Sequence, residues 1–141
     1  MVNGRRLISS GSSFERIAGY SRAVVDGRDV HVSGTTGFDY TTMTIDDDVL
    51  VQTRQCLANI AAALAQAGCT LDDVVRVRYL LTDAKDFERV APLFGEAFAT
   101  ARPAATAMIV GLVDPRMRIE IEVDARIPAP PERDWGPQPG V

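Results

Sequence analysis

The residue best placed to carry out chemistry in this 141-residue chain is Glu120, a carboxylate within a strictly alternating run from Arg118 to Ala125. Along this run the odd-numbered residues are apolar and the even-numbered residues are charged. A period of two predicts a β-strand with one apolar and one charged face. A carboxylate on such a face is usually only solvated. If the face is covered, however, burial and neighbouring charges tune its pKa for proton transfer.

Four other residues could contribute polar groups to a site. Ser33 and Gly34, at the end of a predicted strand, could offer a hydroxyl beside a closely approached backbone N–H, although spacing alone favours an ordinary turn. Tyr20 could donate a hydrogen bond to a ligand, although a lone tyrosine before a strand more often belongs to the core. His31 shares a strand face with Ser33 and has no acidic neighbour in the sequence, so we expect a structural or interface role.

Composition excludes several classes of function. The net charge of −4 disfavours a nucleic-acid partner, which requires a basic patch. No apolar run approaches the ~20 residues of a membrane span, and the N-terminus lacks the apolar segment of a secretory signal, so we expect a cytoplasmic protein without a membrane partner. Cys56 and Cys69 are expected to be free thiols. A single histidine and the lack of a Cys-x-x-Cys motif predict no metal site.

Hydrophobic periodicity, together with residues that end helices and strands, predicts the secondary-structure elements that position these residues. Strands are predicted over 6–9, 20–25, 29–33, 74–81, 103–110 and 118–125, and helices over 49–67 and 87–100. The segment 11–19 is predicted to be a loop with one helical turn at 14–16, and 34–45 a longer loop. Pro92 should separate a first turn from a main helix that starts near Pro92.

This order of elements predicts an α+β fold, a two-layer sandwich with two helices on one face of the sheet. The second face must then meet water or another subunit. The predicted domain covers 1–127. Residues 128–141 are rich in proline, lack periodicity and include Trp135, and they predict an extended or disordered tail.

Several segments, each weak alone, are specific in their order and spacing. They are Gly19–Ser21, Val30–Gly34, Gln52–Ile60, Ala67–Val75, Arg102–Ala104 and Ile119–Val123. Through them the chain resembles the RidA (YjgF) family of reactive intermediate deaminases from about Arg6 to Ile127. The resemblance implies a chorismate-mutase-like sandwich with a mixed sheet, which assembles as a homotrimer around a central barrel with pockets between subunits. It also implies hydrolysis of enamines and imines to a carbonyl compound and ammonia, without a cofactor.

By this resemblance, Tyr20, Ser33, Gly34 and Glu120 match pocket positions. Glu120 would hold or activate the attacking water or shuttle a proton, which is typically worth ~10²–10⁴-fold in rate. Ser33 and Tyr20 would position polar groups of the substrate. Glu120 and Ser33 are therefore the predicted catalytic residues, and Tyr20, Gly34, Ala105 and Ala107 are the predicted substrate-binding positions.

The chain departs from the family pattern at Ala105. The family signature reads Pro-Ala-Arg, and its arginine holds the substrate carboxylate, but this chain reads Pro103-Ala104-Ala105. Ala107 likewise replaces a side chain that commonly lines the pocket. Charge-assisted bonds from an arginine contribute about 1.5–3 kcal/mol each, so a small amino-acid imine should bind at least about tenfold more weakly. The remaining donors considered are Arg22, Arg116 and Arg118.

We therefore predict a deaminase whose specificity has shifted to a ligand that is larger or lacks the carboxylate. The alternative is a non-catalytic trimer that binds a small metabolite or a partner protein. The ribonuclease activity sometimes attributed to relatives fits the acidic charge poorly.

Overall fold

The central element of the computed structural model, which describes residues 3–130, Gly136 and Gly140, is a six-stranded sheet. In chain order the elements are β1 (Arg6–Ile8), α1 (Ser13–Ala18), β2 (Ala23–Asp26), β3 (Asp29–Thr36), β4 (Phe38–Asp39), β5 (Thr44–Ile45), α2 (Val49–Gln66), β6 (Val74–Leu81), α3 (Phe87–Ala97), β7 (Ala104–Ile109) and β8 (Ile119–Arg126). The sheet order is β1-β2-β3-β8-β6-β7. Only the pairing of β6 with β7 is parallel, and β4 and β5 form a separate hairpin. The sheet is therefore mixed, as predicted.

Helices α2 and α3 pack on one face of this sheet and bury the core with it. The Asp48 side chain caps α2 by accepting a hydrogen bond from the Leu50 N–H at 2.7 Å. The inward side of α2 includes Ile60 and Leu64, which are fully buried, and α3 contributes Val90 and Phe94 to the same core. The predicted α+β class and its two principal helices are confirmed. None of the helices in the described part of the chain is long and apolar enough to cross a membrane.

The predicted break at Pro92 is wrong, because α3 continues through it from Phe87 to Ala97. Proline removes only one backbone donor, and its partner would be the carbonyl of Glu88. Pro92 and Glu88 are both exposed, so water can satisfy that carbonyl, while Val90 and Phe94 anchor the opposite side.

Three further boundaries differ from the sequence prediction. The segment predicted as a loop contains α1, which Ser12 caps through the Phe14 N–H and which Gly19 ends at a φ of 74°. Strand β2 begins at Ala23 rather than Tyr20, and β3 continues past Ser33 to Thr36. Most of the predicted tail 128–141, including Trp135, lies outside the described residues, so its disorder stays a prediction.

The two faces of β8 have the predicted difference in character. Ile119, Ile121 and Val123 are buried against the helices. Glu120 and Glu122 point to the opposite face, which neither α2 nor α3 covers. This polar face carries the candidate site.

Candidate functional site

A β-bulge brings Gly34 directly against Glu120. Val32 pairs with Val123 and Thr35 with Ile121, so Ser33 and Gly34 together face a single residue of β8. Bulges of this kind occur often next to active sites, because they redirect side chains. A Cβ atom added to Gly34 would lie 2.6 Å from Oε1 and 2.9 Å from Cδ of Glu120. Only glycine lets this carboxylate rest on the β3 backbone.

Glu120 lies at the wall of a cavity of about 280 Å³. The cavity is lined by residues from α1, β3, the β4–β5 region and the loop before β8, namely Phe14, Ile17, Ala18, Tyr20, Gly34, Thr36, Tyr40, Val113, Met117 and Glu120. The structure thus brings together three predicted site residues, Tyr20, Gly34 and Glu120. Apart from Glu120, the polar side chains in this lining are two tyrosines and one threonine.

Glu120 is half-buried and its carboxylate has no hydrogen bond or ion pair among the described residues. Burial raises the pKa of Glu120 above its ordinary value, the charge of Glu122 raises it further, and Arg22 opposes the shift. A carboxyl group with a raised pKa accepts a proton more readily near neutral pH than an ordinary one. Glu120 can therefore act as a general base and then, once protonated, as a general acid.

Arg22 supports the bulge from behind the cavity wall. Its side chain is buried and donates from Nη1 to the Gly34 carbonyl at 2.8 Å and to Thr35 Oγ1 at 3.1 Å. Its Nε lies 3.6 Å from Glu15 Oε2, and its guanidinium lies 4.5 Å from the centroid of the Tyr40 ring. Arg22 is thus a positioning residue that holds the backbone on which Glu120 rests.

Sequence reasoning missed Tyr40 and Thr36. The Tyr40 hydroxyl accepts a hydrogen bond from the Thr36 N–H at 3.0 Å and lies 3.3 Å from Thr36 Oγ1. Burial raises the pKa of Tyr40, so its phenol stays protonated at neutral pH. Tyr40 falls in a segment without periodicity, and no signal in the sequence places it beside Glu120.

Ser33 is not brought into this cavity. Its hydroxyl donates to the Ser21 carbonyl at 2.6 Å. It lines a separate depression of about 230 Å³ on the polar face with His31, Arg78 and Glu122. Its predicted catalytic role therefore has no support from the geometry of the single chain.

Ala105 and Ala107 lie on the other face of the sheet from Glu120. They pair with Val77 and Tyr79 of β6, whose side chains are buried on the helix-covered face, and paired residues share a face. Ala105 lines a depression of about 240 Å³ beside Tyr79. A site shared by Ala105 and Glu120 would need a second copy of the chain.

The three arginines considered as substitutes all have carboxylate partners in the same chain. Arg22 faces Glu15, as described above. Arg116 binds Asp114 at 2.8 Å and lowers the pKa of that carboxyl to about 2. Arg118 binds both oxygens of Asp86, at 3.0 and 2.9 Å. No lysine, arginine or histidine side chain from the described residues lines the Glu120 cavity.

No group of three or more histidine, cysteine, aspartate or glutamate side chains that could hold a metal ion occurs among residues 3–130, 136 and 140. The groups that line the Glu120 cavity and could act on a ligand are one half-buried carboxylate, two phenolic hydroxyls and an apolar wall.

Comparison with known proteins places this site in context. The family model described as Endoribonuclease L-PSP matches residues 10–127. The proteins named 2-iminobutanoate/2-iminopropanoate deaminase from Capra hircus and Homo sapiens are each 34% identical over 122 residues, covering 86% of this chain and 89% of theirs.

Solved structures extend the comparison. A crystal structure from Mycobacterium tuberculosis, described as a member of the highly conserved YjgF/YER057c/UK114 family, has a TM-score of 0.79 and 44% identity over 86% of this chain and 98% of its own. That of RidA from the Antarctic bacterium Psychrobacter has a TM-score of 0.74 and 31% identity, covering 86% and 94%.

Proposed function

Because the chain belongs to the RidA (YjgF) family, we propose that it is a cytoplasmic, cofactor-independent deaminase that hydrolyses a reactive enamine or imine to a carbonyl compound and ammonia. The observation that carries this proposal is the half-buried carboxylate of Glu120, which has no partner among the described residues and rests on Gly34 at the wall of a cavity. Relatives named deaminases support the reaction class.

The proposed reaction consumes one water molecule. An enamine first tautomerises to the imine. Glu120 removes a proton from water as the water oxygen bonds to the imine carbon, and the nitrogen takes up a proton from solvent to give a carbinolamine. Protonated Glu120 then returns its proton to the nitrogen. The C–N bond breaks, the hydroxyl loses its proton to solvent to form the carbonyl group, and ammonia leaves.

The tyrosines position the substrate in this scheme. The Tyr20 hydroxyl has no hydrogen-bond partner among the described residues, so it is free to donate to the substrate. Tyr40 stays protonated and is held by Thr36, so it offers a second fixed hydroxyl. Both donors cost little reorganisation because they are already in place.

Ammonia release tests this function. The substrates are imines generated from amino acids by an amino-acid oxidase, together with bulkier enamines. The rate of ammonia release is compared between the wild-type protein and Glu120→Gln. The proposal requires that the wild type release ammonia faster than the spontaneous reaction and that Glu120→Gln lose this acceleration. Equal rates with the wild type, the variant and no protein for every substrate would remove the enzymatic function.

We further propose a homotrimer of the chorismate-mutase-like type, whose sheets line a central barrel. The uncovered polar face of β8 and the fully exposed edge strand β7 support contact with another copy. Such a contact would bring Ala105 and Ala107 of one subunit towards Glu120 of the next. Light scattering should then give three times the 15.3 kDa chain mass; a monomer at micromolar concentration would contradict it.

We propose that substrate specificity has changed because, by the family resemblance, Ala105 stands at the position of the carboxylate-binding arginine. The three arginines that could replace it, Arg22, Arg116 and Arg118, are each paired with a carboxylate of the same chain. The same observation favours a second candidate, a trimer that binds a small metabolite without converting it. A ligand that raises Tm and is recovered unchanged would support the second candidate over the first.

A further inference from the structure

We propose that the substrate is a carboxylate-free imine or enamine with a branched aliphatic or aromatic side chain, the kind derived from a primary amine rather than from an amino acid. This inference rests on the proposed hydrolase function and specifies its substrate. The balanced reaction is R–CH=NH plus water giving R–CHO plus ammonia, and it needs no oxidant or reductant.

The charges around the cavity disfavour a substrate carboxylate. Glu120 is the one carboxylate in the cavity lining, and Glu122 is near enough to raise its pKa. A substrate carboxylate would add a further negative charge, and like charges in a partly buried site repel more strongly than in water. Arg22, whose charge acts on Glu120, is buried and already donates to the Gly34 carbonyl and to Thr35. The site therefore favours a neutral imine or a cationic iminium.

The shape and polarity of the walls favour an apolar side chain. Besides the polar groups, the cavity lining includes the large apolar residues Phe14, Ile17, Val113 and Met117. Phe14 is fixed by an edge-to-face contact with buried Phe38, with ring centroids 5.5 Å apart. Ile17 and Val113 are 81% and 92% exposed, although both are large apolar residues. A ligand that covers them gains about fourfold in affinity per methylene removed from water.

The size of the cavity agrees with such a ligand. A volume of about 280 Å³ lies just below the range of roughly 300–1,000 Å³ that small-molecule pockets span, so it suits a small ligand. It accommodates a phenyl or isobutyl group together with the C=N unit. An imine with only a methyl group would leave most of the apolar wall in contact with water.

Matched pairs of substrates that differ only in the carboxylate test the inference. Imines are generated by an amine oxidase from 2-phenylethylamine, isoamylamine and ethylamine, and by an amino-acid oxidase from phenylalanine, leucine and alanine. Ammonia release by the full-length protein is measured above the spontaneous rate. We expect kcat/KM at least about tenfold higher for the carboxylate-free member of the phenyl and isobutyl pairs, and higher for both than for ethylamine.

The outcomes separate the two proposals. The substrate inference would be overturned if kcat/KM were higher for the phenylalanine- or leucine-derived imine than for its carboxylate-free partner. It would also be overturned if the alanine-derived imine had the highest kcat/KM of all six. In either case the hydrolase function would stand. Absence of hydrolysis with all six would overturn the hydrolase function itself and this inference with it.

A charge placed at the cavity mouth provides a second test. Val113→Arg adds a cation at a highly exposed position, so folding should be unaffected, as circular dichroism can verify. Val113→Arg should raise the ratio of kcat/KM for the carboxylated imine to kcat/KM for its carboxylate-free partner about tenfold. The matched control, Val51→Arg, adds the same charge on the exposed side of α2, outside the cavity lining, and should leave this ratio unchanged. Equal ratios in both variants would contradict the placement of the substrate in this cavity.

Discussion

Three carboxylates occupy alternate positions on one face of β8, but their surroundings differ. Glu122 binds Arg78 at 3.0 Å, and Asp124 binds His31 at 2.7 Å with Arg78 at 3.9 Å. Glu120 has no such partner among the described residues; it rests on Gly34 at the wall of the cavity. Burial raises the pKa of Glu120 above its ordinary value.

The contrast shows how one strand can provide both structure and chemistry. Glu122 and Asp124 are occupied by contacts with Arg78 and His31. The half-buried carboxylate of Glu120 has no such contact, and its raised pKa favours uptake of a proton that it can later return. The difference arises from neighbours on other elements, since the three residues share the same backbone geometry and the same sheet face.

Removing the carboxylate of Glu120 should have the largest effect. Glu120→Gln keeps the shape of the side chain but cannot accept a proton, so kcat should fall by ~10²–10⁴-fold. Ammonia release from the preferred imine measures the loss. Asp124→Asn, on the same strand face but paired with His31, should retain kcat within about threefold of wild type. Equal losses in both variants would show that Glu120 has no special role.

Displacing the carboxylate without removing it should have the next largest effect. In Gly34→Ala the added methyl would meet Glu120 Oε1 at 2.6 Å, so the carboxylate must move. A shift of about 1 Å can cost up to ~10²-fold in rate. We expect kcat to fall by about ten- to a hundredfold while KM changes little.

The control for this substitution is Gly111→Ala, where an added Cβ meets nothing within 4 Å. It should leave both kcat and Tm close to wild type. Wild-type activity in Gly34→Ala would mean that the contact between Gly34 and Glu120 does not govern catalysis.

Neutralising Glu122 should shift the pH dependence of activity. Catalysis needs ionised Glu120, so the rate falls as pH drops through the raised pKa of that group, which lies above its ordinary 4.5. The negative charge of Glu122 contributes to this rise. In Glu122→Gln the acidic limb of the kcat/KM profile should therefore move to lower pH. Asp124→Asn should move it less, and a shift to higher pH would contradict the assignment.

Removing Arg78, which pairs with Glu122 and Asp124, should have the smallest effect, and that effect should be on stability. Arg78 and Glu122 are 39% and 37% exposed in the single chain, and exposed pairs contribute about 0–1 kcal/mol. Arg78→Met should lower the free energy of unfolding by no more than this in urea denaturation. A loss of several kcal/mol would show instead that a second copy buries the pair, since breaking a buried pair costs about 3–5 kcal/mol.

Much of this site could be predicted from local patterns. Alternation along 118–125 placed Glu120 opposite the apolar residues, and the structure confirms that parity. Tyr20 and Gly34 were predicted through the resemblance, and both line the cavity. Ser33 does not, because the bulge directs consecutive residues differently and its hydroxyl is bonded to Ser21.

The parts that were missed depend on contacts between distant segments. Tyr40 and the helix α1 come from segments without clear periodicity, yet both line the cavity. The hydrogen bond from Arg22 to Gly34 joins residues twelve positions apart, one just before β2 and the other in β3. Neither relation has a counterpart in the spacing of the sequence.

The sequence by itself determined which face of β8 each carboxylate occupies, because alternation in a strand is a local property of the backbone. Only the tertiary structure decided that Glu122 and Asp124 acquire basic partners while Glu120 lies half-buried beside a glycine. That distinction depends on strand register and on residues from Phe14 to Val113, which meet only when the chain is folded.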